Sequence, residues 1–82
     1  MKKTYQYIGT IDLNEVIYVT ENHYKWRSAY NDHNQYFSIY FKSGAQKDID
    51  WTFNGVRENP DTEELIEFRK GYADFITDYI NL

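Results

Sequence analysis

Eighty-two residues suffice for one domain, read here as residues 1–82, and are too few for two. The absence of cysteine excludes disulfides and cysteine-type zinc sites and fits a reducing compartment. The formal charge of −4 is unevenly spread: residues 1–47 carry a net +2 and residues 48–82 a net −6, so one half attracts polyanions mildly and the other repels them.

Nine tyrosines, five phenylalanines and two tryptophans are more rings than a core of this size encloses. A phenol hydroxyl wants water or a partner. Part of the tyrosine set is therefore expected at the surface, which points to a binding face. Met1-Lys2-Lys3 is followed by Thr4, Tyr5 and Gln6, not by an apolar run, so no signal peptide is expected. The longest apolar run, Val16 to Val19, is far short of a membrane span. The expected location is the cytoplasm, with no membrane partner.

In chain order, Thr4–Ile8 alternates as a strand, with Tyr5 and Tyr7 on one face. Gly9 permits a bend or bulge, and Ile11 and Leu13 continue the period of two. Asn14-Glu15 reads as a tight turn, and Val16–Thr20 as a β-branched strand. Tyr24, Trp26, Ser28 and Tyr30 share a spacing of two, which suggests a strand with one aromatic face; an irregular loop is the competing reading. Asn31-Asp32-His33-Asn34 groups turn-forming residues and predicts a hairpin tip. In Gln35–Lys42, Phe37, Ile39 and Phe41 point inward, and Tyr36, Ser38, Tyr40 and Lys42 outward. Ser43–Gln46 forms a second hairpin turn. Lys47–Phe53 then carries Ile49, Trp51 and Phe53 inward, and Asp48, Asp50 and Thr52 outward.

The period changes after a loop at residues 54–60. Asp61 and Glu64 are spaced as a capping box, and acids at 61, 63 and 64 suit the positive end of a helix. Leu65, Phe68, Tyr72, Phe75, Ile76 and Tyr79 form one apolar face of a helix over 61–80. Gly71 interrupts it, either to allow close packing or as a tolerated defect of about 1 kcal/mol. The expected fold is α+β: an antiparallel β-meander of four or five strands (1–53) packed against one C-terminal α-helix.

No arrangement for catalysis assembles. Ser28, Ser38 and Ser43 lack a glycine elbow, the four glycines are scattered singly, and the paired acids Asp48 and Asp50 read as a solvated face. His23 and His33 read as solvated loop histidines without metal-ligand spacing. No metal or cofactor is expected. The segments IDLNEVIYV and YFSIYFKSG, a minor part of the chain, are similar to small bacterial β-rich domains, including LytTR-type DNA-binding domains. They contain no functional motif, so the resemblance assigns no site residue.

One set of residues stands above this background. Tyr24, Trp26, Arg27, Tyr36 and Tyr40 combine large rings with a cation, the composition of protein-binding hot spots. The expected function is a small non-enzymatic interaction protein, inhibiting or regulating a larger partner in the manner of phage and mobile-element proteins. The partner is another protein or a second copy of the chain. One alternative is a single-stranded nucleic-acid binder using the same aromatic and basic face. The other is a DNA mimic acting through the acidic helix face of Glu63, Glu67, Asp74 and Asp78.

Overall fold

The computed structural model describes residues 1–54 and 63–82. They form an α+β fold: six antiparallel strands and one C-terminal helix. The strands are β1 (Lys2–Tyr5), β2 (Gly9–Asp12), β3 (Val16–Val19), β4 (His23–Arg27), β5 (Asp32–Phe41) and β6 (Gln46–Asn54), and the helix is α1 (Glu63–Ile80). Of the predicted loop 54–60, Asn54 instead ends β6, paired with Asp32; residues 55–60 and Asp61 of the predicted capping box lie outside the described residues.

Two expectations near the start and middle of the chain are corrected. Thr4–Ile8 is not a continuous strand. The chain reverses at Gln6–Ile8, with Tyr7 at φ +67° and Gly9 at φ +93°, and β2 pairs back on β1 from Tyr5↔Gly9 to Lys2↔Asp12. Backbone of this sign is rare outside glycine, so the turn accounts for Gly9 more directly than a bulge does. Residues 31–34 are not a hairpin tip. The turn comes earlier, as a 3-10 turn over Ser28–Tyr30 closed by Asn31 in the left-handed region (φ +51°), and Asp32, His33 and Asn34 already belong to β5. Asparagine tolerates that backbone region, so one turn-former suffices and the other three are released to the strand.

β5 is the spine of the sheet. On one side it pairs with β6 over nine consecutive positions, Asp32↔Asn54 to Tyr40↔Gln46. On the other side it pairs end to end with β4 and β3. These two behave as one strand interrupted at Thr20–Asn22. At the break, the Ser38 amide donates to Thr20 Oγ1 (2.8 Å) in place of a backbone carbonyl. Thr20's own amide donates to the Ser38 carbonyl (3.0 Å). The freed Thr20 carbonyl accepts from the Tyr72 hydroxyl on α1 (3.1 Å).

α1 covers the sheet face formed by odd-numbered β5 residues. Phe37 and Ile39 are buried there with Ile49, Phe53, Leu65, Phe68 and Phe75, and the β1–β2 hairpin closes the core with Tyr5, Ile8 and Ile11. Phe68 meets Phe37 and Phe53 edge-on at 6.0 and 5.8 Å, a favoured ring arrangement. Each fully buried ring of this kind contributes roughly 1.5–3 kcal/mol. Phe41, Tyr72, Ile76 and Tyr79 pack at the margin of the same core. Trp51 is on this side as expected. Because β6 is an outer strand, however, Trp51 stays 42% exposed, capped by the hairpin: its indole N–H donates to the Tyr7 carbonyl (3.1 Å) and the Tyr7 ring lies edge-on at 4.9 Å.

Gly71 is no tolerated defect. It is buried where β1 crosses α1, and a Cβ at this position would lie 2.7 Å from the Gln6 carbonyl oxygen. Around that crossing, Asp78 binds both Lys3 Nζ (2.6 Å) and the Tyr5 hydroxyl (2.7 Å), and Glu67 accepts from Gln6 (3.0 Å). The pair with Lys3 and the Tyr5 hydroxyl together hold the Asp78 carboxyl below the usual carboxylate range.

Candidate functional site

The five residues expected to form one binding face divide between the two faces of the sheet. Register decides it. Tyr24 and Trp26 stand opposite Gln35 and His33, whose side chains are buried on the α1 side. Arg27, Tyr36 and Tyr40 belong to the opposite, outer face, which carries the even-numbered residues of β5. Tyr24 and Trp26 are thus walls of the interior, not members of the outer patch.

What they enclose is His33, which sequence reading placed in solvent and which is 0% exposed. Its ring lies 4.5 Å from Trp26 and is stacked at 5.8 Å on Tyr24. The Tyr24 hydroxyl and His33 Nδ1 share a hydrogen bond of 2.6 Å, and Arg69 of α1 lies over the Tyr24 ring at 5.5 Å. Burial pushes the imidazole below its ordinary pKa, against the opposing pull of Asp32. Nε2 is buried with no hydrogen-bond partner among the described residues. Beside it, buried Gln35 donates to the His23 carbonyl (3.1 Å) and accepts from Asn22 (3.2 Å), filling the polar gap left by the break between β3 and β4.

The outer face is where aromatic surface remains available. Tyr18 pairs with Tyr40 across β3 and β5, their rings 5.9 Å apart, and His23 stacks on Tyr36 at 5.1 Å. Tyr18 is 58% and Tyr36 39% exposed. Sequence reading missed Tyr18 and His23, because only the register sets them beside Tyr40 and Tyr36. Arg27 is held by Asp32 through two hydrogen bonds of 2.7 Å and lies over the Tyr30 ring at 5.2 Å, so its charge is largely spent within the fold. On the far side of the same face, Asp48 accepts from Ser38 (2.6 Å) and Gln46 (2.7 Å), which lower its pKa, and Asp50 accepts from Asn34.

The acidic helix face is also divided. Glu67 and Asp78 are engaged by the hairpin, while Glu63 and Asp74 are exposed. Between hairpin and helix runs a polar groove of about 330 Å³ lined by Lys3, Gln6, Glu67, Lys70, Asp74 and Asp78 among others. Within it Lys3 pairs with Asp78 and Gln6 donates to Glu67, and no helix among the described residues is long and apolar enough to cross a membrane.

The class these features define is a small α+β protein with a helix-covered sheet whose free face bears an aromatic band between a basic and an acidic margin. No family model, curated protein or solved structure matches the chain.

Proposed function

We propose that the protein is a non-enzymatic, cytoplasmic interaction protein that binds another protein chain through the outer face of its sheet, centred on Tyr18, Tyr36 and Tyr40 with His23 and Arg27. The observation that carries this reading is the band Tyr18–Tyr40 and Tyr36–His23, which lies on the side away from the core and keeps Tyr18 58% exposed. Tyrosine offers large contact area at small entropic cost and a hydroxyl for the wet rim, which suits protein recognition. Asp48 and Asp50 on the same face oppose a phosphate backbone, and Arg27 is already committed to Asp32. Both features favour a protein partner over a nucleic acid.

The test is a pull-down from host lysate with and without nuclease, comparing the native chain with Tyr36→Ala/Tyr40→Ala. Protein capture that survives nuclease and is lost in the double variant supports the reading. Capture that vanishes with nuclease, or is untouched by the double substitution, refutes it.

A further inference from the structure

Building on the reading that the outer face binds a protein chain, we propose that its partner is a second copy of this chain, packed face to face about a two-fold axis parallel to β5. Lateral charge order carries the inference. Across the outer face, β4 presents His23, Lys25 and Arg27, β5 presents Asn34, Tyr36, Ser38 and Tyr40, and β6 presents Asp48, Asp50 and Thr52. With Arg27 matched by Asp32, the β4 margin keeps the charge of Lys25, and the β6 margin keeps two carboxylates.

Among the two-fold axes that lie in the plane of an isologous interface, two keep the strands of the stacked sheets aligned, one along the strands and one across them. An axis along β5 exchanges the margins, so the β4 row of one copy lies over the β6 row of the other. His23, Tyr36 and Asp50 are level in the register. This axis therefore sets His23 of one copy against Asp50 of the other and Lys25 against Thr52, so that the Lys25 ammonium reaches Asp50 only along the row, one position away. An axis across the strands instead lays each row on itself and, centred on Tyr36, sets Asp50 against Asp50. Opposite charges across an interface select register and partner, and like charges penalise it. The charge order thus favours the axis along β5. Tyr36 and Tyr40 then meet their own copies, Tyr18 lies over Gln46 of the other copy, and the strands of the two sheets stay roughly aligned, the common arrangement for stacked sheets.

The patch is small. Ten residues of β5 at about 3.4 Å each, across three strands about 4.8 Å apart, give a footprint near 500 Å². That is below the roughly 800 Å² per partner of a standard interface, so a weak, reversible dimer is expected.

Sedimentation velocity on the full chain, up to high micromolar concentration, tests this. A concentration-dependent dimer is expected, with Tyr36→Ala/Tyr40→Ala weakening it at least tenfold while circular dichroism is unchanged. Asp50→Lys should weaken it and Lys25→Glu with Asp50→Lys should recover it. Asp50→Asn, nearly isosteric, serves if Asp50→Lys fails to fold, and should also weaken it. A monomer at every concentration, or a dimer indifferent to Tyr36 and Tyr40, overturns the proposal. A dimer strengthened by Asp50→Asn overturns the axis along β5. If the chain is monomeric yet lysate capture still depends on Tyr36 and Tyr40, only the second copy is refuted; if that capture also fails, the underlying reading falls with it.

Discussion

Gly71→Ala sets two effects of known sign against each other. In an isolated helix, alanine is favoured by about 1 kcal/mol, and the loss of unfolded-state freedom adds to that preference. Here the new methyl would lie 2.7 Å from the Gln6 carbonyl oxygen, which is backbone and has no rotamer to give. The hairpin must shift outward. That lengthens Lys3–Asp78 (2.6 Å) and Tyr5–Asp78 (2.7 Å) and draws the Tyr5 ring off Phe75, its edge-on neighbour at 5.3 Å. Overpacking of this kind costs typically 1–3 kcal/mol, and the hydrogen bonds to a charged acceptor add to it. The expected net is a destabilisation of about 1–2 kcal/mol, or a Tm lower by roughly 5–15 °C for a domain of this size. Thermal melts followed by circular dichroism read this directly, and Gly71→Val should be worse. A Gly71→Ala variant that melts higher than the native chain would refute the close-approach account.

Three further outcomes follow from the core. His33 is neutral in both states above its ordinary pKa of 6.5; as pH falls below that, the unfolded chain takes up a proton that the folded chain resists. Stability should therefore decline from about pH 6.5 down to the lower folded pKa, and His33→Phe should flatten urea midpoints measured between pH 8 and 5; a native chain whose midpoints are level there contradicts the buried imidazole. Tyr24→Phe removes the 2.6 Å bond to His33 and should cost about 1–3 kcal/mol by urea titration, whereas Tyr40→Phe on the outer face should cost almost nothing; equal effects would mean the two faces are wrongly assigned. Phe68→Ala should cost roughly 3–5 kcal/mol, enough to leave much of a marginally stable domain unfolded, visible as lost helical dichroism at 25 °C.

Alternation carried the parts of the fold where each strand has one apolar face. Phe37, Ile39, Ile49 and Phe53 are buried as their period requires, and the helix stripe from Leu65 to Tyr79 packs where its spacing directs. What alternation does not encode is the phase of one strand relative to its neighbour. Tyr24 and Trp26 look like partners of Tyr36 and Tyr40 along the sequence, yet the turn at Ser28–Asn31 pairs Trp26 with His33 and so turns the two pairs to opposite sides. The same turn moved His33 from a presumed loop into the interior. A polar residue on a buried strand face reads as loop until its partners are known, and those partners are nine and seven residues earlier on a strand whose register only the turn sets. Gly71 was legible as an anomaly, but the carbonyl that explains it belongs to a residue at the other end of the chain.

That distance bears on synthesis. The Lys3–Asp78 bridge spans 75 positions, and Phe75 and Tyr5 complete each other's burial. As a nascent chain lengthens, the first hairpin emerges with nothing to pack against, and two-stranded hairpins are barely stable alone. The sheet that follows exposes Phe37, Ile39 and Phe53 until α1 arrives. Only when the last turns of the helix are free can both be covered in one step, so the hairpin and the sheet face stay exposed until α1 has formed. Anything that delays or loosens α1 should therefore expose the hairpin and the sheet face together.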